Sequence, residues 1–336
     1  MKLTIGPFTR VVLLGGGELL LKLHEWAAGY SLEPGIITSP RHAAEHIRGE
    51  TLKTALDRAG ARYIVAERLD APDVVGLVGD PKETMALSIG APWIFSVETV
   101  GRLFGGNLFN VHGTRLPQNR GGGGFSWQIL TGNRFGFCLV HSVDAGIDTC
   151  DIVSFEEFLY PAFCRIPADY QSYYVEKTVA HIGTLLTGLK REARTFETLA
   201  QPEYLSSYWP RLHTETHGWV DWTWEPQQIE RFICAFDDPY SGAQTHWNGV
   251  RVAIKKGSLN LQDGHFHPFQ SGLVYRVHPK WICVALGGAA LVIEEIFDEH
   301  GRPILDRVKA GDRLHTPQSL LEDAAKRATY GPRGLK

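Results

Sequence analysis

The stretch Phe109–Asn133, FNVHGTRLPQNRGGGGFSWQILTGN, begins in an apolar segment and carries the most unusual pattern of the chain. Asn110 and His112 stand two residues apart in a predicted strand, so both side chains should point to the same face. Four consecutive glycines follow at Gly121–Gly124, where a ligand could approach the bare backbone. The pattern predicts a strand that ends in polar groups beside a ligand-binding loop.

A second stretch, GFCLVHSVDAGIDTCDIV at residues 136–153, places Asp148 after another predicted strand. An amide can donate to a developing oxyanion, and an imidazole can accept or deliver a proton. A carboxylate can orient the imidazole and stabilise its protonated form. We therefore take Asn110, His112 and Asp148 as the candidate catalytic residues.

Around these two stretches, strand patterns alternate with helix-length segments. This alternation predicts an α/β domain with a largely parallel sheet and helices on both faces over residues 1–200. The predicted strands are Arg10–Leu14, Gly35–Thr38, Arg62–Val65, Thr84–Ile89, Leu108–His112, Phe135–Val143 and Ile152–Phe155. The predicted helices are Glu18–Ala28, Ala43–Ala59 and Asp169–Leu189.

The pattern changes after about residue 200. Residues 201–218 are rich in Pro, Tyr, Ser and His and are predicted to be a linker to a second domain, residues 219–336. Asn248-Gly249 is a strong hairpin signal, and short strands separated by turns predict a small β-barrel. The elements predicted there are a helix at Pro226–Phe236 and strands at Val250–Lys255, Gly272–Val277, Trp281–Leu286 and Ala289–Ile296.

The composition is that of a folded protein. The 336 residues are 43% hydrophobic and 21% charged with a net charge of −3, which excludes a disordered chain. No apolar run reaches the ~18–20 residues that a membrane span needs. No signal-peptide pattern precedes the apolar segment Val11–Leu23. A cytoplasmic protein that does not contact membranes is therefore expected.

Residue spacing argues against three other kinds of site. No two of the five cysteines are closer than twelve residues, which excludes a C-x-x-C pair. His213 and His217 lack the glutamate that a zincin helix needs, so no metal is predicted. Gly15–Gly17 lacks the third glycine of a dinucleotide fingerprint, and Ser39-Pro40-Arg41-His42 stands where its acidic residue would be.

Together, the two polar stretches resemble the folate-dependent formyltransferase family. The family's Asn-x-His strand corresponds to Asn110 and His112, and its Leu-Pro-x-x-Arg-Gly turn to residues 116–121. Its Ile/Leu-Asp-Thr-Gly-Asp turn corresponds to residues 147–151, with Cys150 in place of the usual glycine. The resemblance resumes over residues 220–243, which look like the entry to the family's C-terminal domain.

The resemblance implies a Rossmann-like formyltransferase domain followed by a small C-terminal OB-like β-barrel. It also implies transfer of the formyl group of 10-formyltetrahydrofolate to a primary amine, without a metal. Asn110 would hold the formyl oxygen, His112 would stabilise the oxyanion and shuttle a proton, and Asp148 would position His112. Two loops would contact the folate, through Ser88, Gly90, Pro92, Val143, Asp144, Ala145, Gly146 and Ile147. The glycine-rich turn would contact the acceptor, through Arg120, Gly121, Gly122, Gly123 and Gly124.

The nature of the acceptor is less constrained. The motifs look most like those of sugar N-formyltransferases, which act on nucleotide-linked amino deoxysugars in lipopolysaccharide or other surface glycan synthesis. Residues 221–336 hold 14 basic and 14 acidic residues, a balance that disfavours a nucleic-acid partner such as tRNA. Methionyl-tRNA formyltransferase, formyltetrahydrofolate hydrolase and a binding module without turnover stay open as alternatives. A homodimer is one candidate for the oligomeric state, which the sequence does not set.

Overall fold

The computed structural model describes residues 1–335, and strands alternate with helices in its N-terminal part. The elements begin with β1 (Lys2–Ile5), β2 (Arg10–Gly15), α1 (Gly17–Ala28), β3 (Gly35–Thr38), α2 (Pro40–Ala43), β4 (His46–Ile47), β5 (Glu50–Thr51), α3 (Leu52–Arg58), β6 (Tyr63–Val65) and α4 (Pro72–Val78). They continue with β7 (Thr84–Ile89), a π-helical turn (Thr99–Leu103), β8 (Leu108–His112), β9 (Arg120–Gly121), α5 (Gly124–Thr131), β10 (Phe135–Ser142), β11 (Ile152–Leu159), α6 (Pro167–Arg191) and β12 (Arg194–Glu197).

The C-terminal part consists mainly of short antiparallel strands. Its elements are β13 (Tyr208–Trp209), α7 (Thr214–His217), α8 (Pro226–Ala235), β14 (Ala243–Trp247), β15 (Val250–Asn260), β16 (Val274–His278), β17 (Trp281–Leu286), β18 (Ala289–Asp298), β19 (Leu314–His315), α9 (Gln318–Asp323), β20 (Tyr330–Gly331) and β21 (Gly334–Leu335). Within residues 1–335, no helix has the length and apolar character needed to cross a bilayer.

Seven strands form the main sheet, in the order β11-β10-β8-β7-β2-β3-β6. The five strands from β8 to β6 are parallel, and β10 and β11 add an antiparallel edge. All six residues of β7 are buried, as expected for a central strand covered on both faces. The sheet confirms the predicted largely parallel α/β fold.

Strand order reverses between β2 and β7. In open α/β sheets, ligands bind beyond the carboxyl ends of the strands at such a switch point. Here this edge carries Gly15–Gly17 at the junction of β2 and α1, Ser88–Gly90 at the end of β7, and the Asn110 and His112 side chains near the end of β8. The topology therefore gathers three of the segments that the sequence singles out.

The helix predicted over Ala43–Ala59 is confirmed only in its second half, where α3 lies, and is wrong before Leu52. The chain leaves α2 at Ala43 and forms the β4–β5 hairpin before α3 begins at Leu52. Arg48 (φ +52°) and Gly49 (φ +89°) adopt left-handed conformations in the hairpin turn, which no α-helix accommodates. The Thr51 hydroxyl then accepts a hydrogen bond from the Thr54 N–H at 3.2 Å and caps α3.

The C-terminal strands form a six-stranded antiparallel sheet, in the order β16-β17-β18-β15-β14-β19. The sheet curls so that its two edges meet. The Val274 N–H donates to the Asp312 carbonyl at 2.8 Å, and the Leu314 N–H donates to the Gly272 carbonyl at 2.8 Å. The curled antiparallel sheet agrees with the predicted β-rich C-terminal part, although β15 (11 residues) and β18 (10 residues) run beyond the short strands predicted there.

The predicted hairpin at Asn248-Gly249 is confirmed. It joins β14 to β15, where Trp247 pairs with Val250. Asn248 (φ +50°) and Gly249 (φ +79°) both have positive φ, the conformation that a two-residue type I′ turn requires.

Residues 201–218 run along the glycine-rich turn. Strand β13 pairs in parallel with β9, so that Tyr208 lies beside Arg120 and Trp209 beside Gly121. The Trp127 indole N–H of α5 donates to the Pro210 carbonyl at 2.8 Å. This segment is therefore part of the structure around the edge of the main sheet.

Candidate active site

Strand β8 presents Asn110 and His112 to the same cavity. Both side chains are half-buried, whereas the flanking Phe109 and Val111 are buried on the other face. Asn110 and His112 both line a cavity of about 350 Å³ at the carboxyl edge of the sheet. The shared face predicted from the two-residue spacing is confirmed.

Asp148 joins this strand to the glycine-rich turn. Its Oδ2 accepts a hydrogen bond from the Gly121 N–H at 2.9 Å, and its Oδ1 lies 3.3 Å from Asn110 Nδ2. The left-handed conformation in this loop falls on Asp148 itself (φ +54°), a residue type that tolerates it. Cys150 is not among the residues with positive φ in the described chain, so a cysteine fits where the family has glycine.

The hydrogen bonds of His112 indicate which ring nitrogen can take up a proton. Nε2 lies 2.8 Å from the Asn119 carbonyl oxygen and 2.8 Å from the Thr114 hydroxyl. Because a carbonyl oxygen only accepts, we assign the ring hydrogen to Nε2. Nδ1 then carries the lone pair and lies 3.9 Å from Asp148 Oδ2. A proton gained at Nδ1 would face the carboxylate.

The structure adds a fourth polar residue, His141, which sequence reasoning missed. His141 lies opposite Asn110 in the antiparallel pair of β10 and β8 and is only 2% exposed. Its Nδ1 donates to the Ser142 carbonyl at 2.7 Å, which leaves the Nε2 lone pair 3.1 Å from Asn110 Nδ2. Pairing the two polar stretches as antiparallel neighbours would have found it.

Burial and neighbouring charges set the protonation states of the cluster. Burial lowers the pKa of His112, although the Asp148 carboxylate acts in the opposite direction. Burial alone would raise the pKa of Asp148, but His112, His141 and the Gly121 N–H together hold it well below its usual range. At neutral pH the site therefore pairs a neutral His112 imidazole with an ionised Asp148 carboxylate.

His112, His141 and Asp148 place ligand atoms within 4.8 Å of one another, a spacing that could suit a cation. However, the Asn110 amide nitrogen contacts two of these ligand atoms, which themselves lie 3.4 Å apart. This Nδ2 contacts His141 Nε2 at 3.1 Å and Asp148 Oδ1 at 3.3 Å. The cluster is therefore arranged as a hydrogen-bond network around an amide group.

The cavity of about 350 Å³ gathers most residues predicted to contact the folate. Ala145 lies in the same loop but is not part of the cavity wall. The wall also includes an aromatic and aliphatic segment, Trp93–Phe95, on the loop after β7. The predicted folate contacts that line the cavity are Ser88, Gly90, Pro92, Val143, Asp144, Gly146 and Ile147.

A second cavity, of about 490 Å³, also reaches His112 of the candidate catalytic cluster, Asn110, His112 and Asp148. It is lined by Gly121–Gly124, as predicted for the acceptor, and by Trp209 of the segment that pairs with this turn. The two cavities share His112, Gly121 and Gly122. His112 thus stands where the contents of the two cavities would meet.

Arg120 lies outside both cavity walls, contrary to its prediction as an acceptor contact. Its guanidinium is buried, and Nη1 is 2.7 Å from Glu203 Oε2. Nε lies 3.3 Å from Gln201 Oε1. The side chain therefore connects residues 201–203 to the turn. Its charge is already satisfied by the ion pair with Glu203.

Two further arginines, Arg41 and Arg211, line both cavities and were not predicted. Arg41 belongs to the Ser39-Pro40-Arg41-His42 segment after β3, where a dinucleotide-binding fold would carry an acidic residue. That departure in charge is the signal that could have found it. Arg211 lies in the segment predicted as a linker, where no local pattern marks it.

Comparison with known proteins adds independent findings. The family described as "Formyl transferase, C-terminal domain" matches residues 213–306. The chain is 27% identical to methionyl-tRNA formyltransferase of Acetivibrio thermocellus, over 61% of this chain and 64% of that protein's length. It is 25% identical to methionyl-tRNA formyltransferase of Geobacter metallireducens, over 76% of this chain and 79% of that protein.

Solved structures with a similar fold include two N-formyltransferases. One is WlaRD, a sugar 3N-formyl transferase solved with dTDP and 5-N-formyl-THF, with a TM-score of 0.65, 15% identity, and coverage of 85% of this chain and 97% of that one. The other is the N-formyltransferase of Helicobacter canadensis, solved with folinic acid and dTDP-3-aminofucose. Its TM-score is 0.63 at 16% identity, covering 85% of this chain and 98% of that one.

Proposed function

The chain belongs to the folate-dependent formyltransferase family, and we propose that it moves a formyl group from 10-formyltetrahydrofolate to the primary amine of a nucleotide-linked amino deoxysugar. The observation that carries this proposal is the position of His112. It lies at the boundary between two cavities, within reach of Asn110 and Asp148. Such a site brings two substrates to one proton-transferring group.

The proposed reaction needs no covalent enzyme intermediate. The amine nitrogen attacks the formyl carbon, and the electrons of the carbonyl bond move onto the formyl oxygen. The bond between the formyl carbon and N10 of the folate then breaks. The amine loses one proton and N10 gains one, so the products are an N-formyl amine and tetrahydrofolate.

Three side chains would carry out the proton and charge transfers. Asn110 Nδ2 contacts Asp148 Oδ1 at 3.3 Å, which is long for a bond to a carboxylate, so the N–H facing Asp148 would be shared with the formyl oxygen while the other N–H stays on His141 Nε2. His112 Nδ1 would take the proton from the attacking nitrogen and return it to N10. Asp148 would stabilise the imidazolium formed in between.

Most residues predicted to contact each substrate line one of the two cavities, and this agreement supports the assignment of substrates. The folate would occupy the cavity between Gly90–Pro92 and Val143–Ile147. The acceptor would occupy the cavity beside Gly121–Gly124. The curled C-terminal sheet would be the family's OB-like domain. The two solved neighbours contain dTDP or a dTDP-linked amino sugar together with a formylated folate.

Methionyl-tRNA formyltransferase is the second candidate, because the curated relatives named above carry that name. The charge balance of residues 221–336, 14 basic against 14 acidic, argues for the smaller acceptor. Phosphate contacts supply most of the affinity for nucleic acids, and they require a basic surface.

The experiment is a panel of acceptors offered to the purified protein with 10-formyltetrahydrofolate. The panel comprises dTDP- and UDP-linked 3-amino and 4-amino deoxysugars, initiator methionyl-tRNA, and buffer alone. Mass spectrometry would detect formylation, and absorbance would report tetrahydrofolate release. A formylated amino-sugar nucleotide is the expected result. Salt-sensitive binding and formylation of the tRNA, or tetrahydrofolate release in buffer alone, would overturn the proposal.

A further inference from the structure

Arg41 and Arg211 carry positive charges that the fold leaves without a salt bridge. Both side chains are half-buried, yet neither guanidinium pairs with a carboxylate anywhere in residues 1–335. Arg120, the one buried arginine of the described residues, is instead paired with Glu203 at 2.7 Å. The charges of Arg41 and Arg211 therefore stay uncompensated by an ion pair although both side chains line cavities.

The Arg41 guanidinium is held in place by a neutral group. Its Nη2 lies 2.8 Å from His42 Nε2. Burial, together with the charges of Arg41 and Arg211, lowers the pKa of His42 to about 3, so the ring stays neutral and can accept this hydrogen bond. Arg41 Nε is buried and has no hydrogen-bond partner in the described chain. The residue is thus oriented while part of its hydrogen-bonding capacity stays unused.

Arg211 approaches the same space from the other side. It lies over the Tyr330 ring, with the guanidinium carbon 5.3 Å from the ring centroid. Both arginines line a side cavity of about 480 Å³ together with Gly16, Gly17 and Gly90. Burial and the charge of Arg211 lower the pKa of Arg41, as expected when two cations share a partly desolvated space. Two such cations lower their mutual repulsion by binding an anion.

We propose that Arg41 and Arg211 form the subsite that binds the diphosphate of the acceptor. The naming of the acceptor rests on the proposed function. A diphosphate matches the pair in charge, and planar guanidinium groups bind phosphate oxygens through two parallel hydrogen bonds. The glycines at the start of α1 border the same space, and a helix N-terminus adds a favourable field for an anion.

The position of the pair favours the acceptor over the folate as the source of the anion. Both arginines line the folate cavity as well as the acceptor cavity, but Gly16 and Gly17, which border their side cavity, line the acceptor cavity and not the folate cavity. The segment Val143–Ile147 lines only the folate cavity. The glutamate tail of a folate is nevertheless an anion of similar size, so the test includes it as a separate probe.

Glu45 allows a test of the charge argument in which a substitution should strengthen binding. It lines the same side cavity and is the nearby acidic group that acts on the charges of both arginines. Because its carboxylate would repel a bound diphosphate, Glu45→Gln should strengthen diphosphate binding. If Glu45 had only a structural role, its substitution would not strengthen diphosphate binding.

The experiment measures binding by calorimetry, without turnover. The probes are dTDP, inorganic pyrophosphate and pteroyltriglutamate, each titrated into the full chain. The variants are Arg41→Gln, Arg211→Gln and Glu45→Gln. The matched control is Arg251→Gln, which also removes an arginine lying over an aromatic ring, at 5.7 Å from Trp219. Thermal melting would show which variants are folded.

Each arginine variant should weaken dTDP and pyrophosphate binding about 10- to 100-fold, the range for losing a charge-assisted contact. Arg251→Gln should leave both unchanged. Failure of the wild-type protein to bind either phosphate probe would overturn the proposal. A loss confined to pteroyltriglutamate would overturn it in favour of the folate tail. If pyrophosphate binds through the two arginines while no amino-sugar nucleotide is formylated, the subsite stands and the proposed function fails.

Discussion

His141 Nε2 lies 3.1 Å from Asn110 Nδ2, directly across the antiparallel pair of β10 and β8. The imidazole therefore fixes the rotation of the amide whose other contact is Asp148. Because the amide is oriented before any substrate arrives, its hydrogen bonds would need little rearrangement when charge develops on the formyl oxygen in the proposed reaction. This contact links a residue that sequence reasoning missed to one that it found.

His112→Ala should lower turnover by at least ~10²-fold, because it removes a positioned acid–base group. The rate of formyl transfer under saturating substrates is the measurement, and the melting temperature is its control for folding. His181→Ala is a matched comparison, since this half-buried histidine lies outside the two cavity walls. Near-normal turnover in His112→Ala would show that another group transfers the proton.

His141→Leu should lower kcat about tenfold or more with little change in acceptor KM, because the Asn110 amide loses the partner that orients it. We expect His141→Gln to recover part of the rate, since its side-chain oxygen can accept the same hydrogen bond. Steady-state kinetics on both variants provides the measurement. If kcat falls and the acceptor KM rises by similar factors in both variants, His141 would have a general structural role instead.

The rate should stay high as pH falls through 6.5, the ordinary pKa of histidine, and should drop only in more acidic solution. The reason is that burial lowers the pKa of His112, so its proton-accepting form persists to lower pH. Asp148→Asn removes the group that favours the imidazolium, so the acidic limb of the surviving activity should shift further down. A pH profile of kcat with a limb at or above 6.5 would contradict this assignment.

Asp148 should also influence stability in acid. Its pKa is held below the value of an unfolded aspartate, so the folded state binds fewer protons between the two values. The stabilisation is complete above about pH 4 and is lost as pH falls towards the folded pKa. The melting temperature of Asp148→Asn should therefore fall less steeply than that of the wild type as the pH is lowered from about 4 to about 2.

A pair of variants can separate the two cavities. Gly124 lines only the proposed acceptor cavity and Ile147 only the proposed folate cavity. A Cβ at position 124 would lie 3.1 Å from the Thr114 methyl group, so Gly124→Val crowds this wall. We expect it to weaken acceptor binding about tenfold, within the range for overpacking. Ile147→Ser should weaken folate binding alone, and the opposite pattern would reverse the two assignments.

Local periodicity was sufficient for much of the fold. The strand spacing of two put Asn110 and His112 on one face, and the apolar stripe of α6 was visible in the sequence. The same kind of pattern misled at Ala43–Ala59, because apolar spacing continued through a turn that Arg48 and Gly49 make with positive φ. Local signals decide elements well but do not exclude a short hairpin within one of them.

Site residues that depend on tertiary contacts could not be predicted in the same way. His141 acquires its role from the register of β10 against β8. Arg120 carries the family's turn motif, yet its guanidinium pairs with Glu203, a residue far along the chain. Arg41 and Arg211 meet only because residues 201–218 pass along the edge of the main sheet. No spacing within one segment contains that information.

The parallel pairing of β13 with β9 has a consequence for recombining this protein with its relatives. Tyr208 and Trp209 belong to neither of the two predicted domains, yet each lines a cavity beside the catalytic cluster. In a chimaera joined at residue 200, the main sheet would come from one parent, and the cavity-wall residues 208 and 209 would come from the other parent. Grafting the C-terminal part together with residues 201–218 would therefore transplant part of the acceptor selectivity, whereas a junction after residue 218 would leave that selectivity with the recipient.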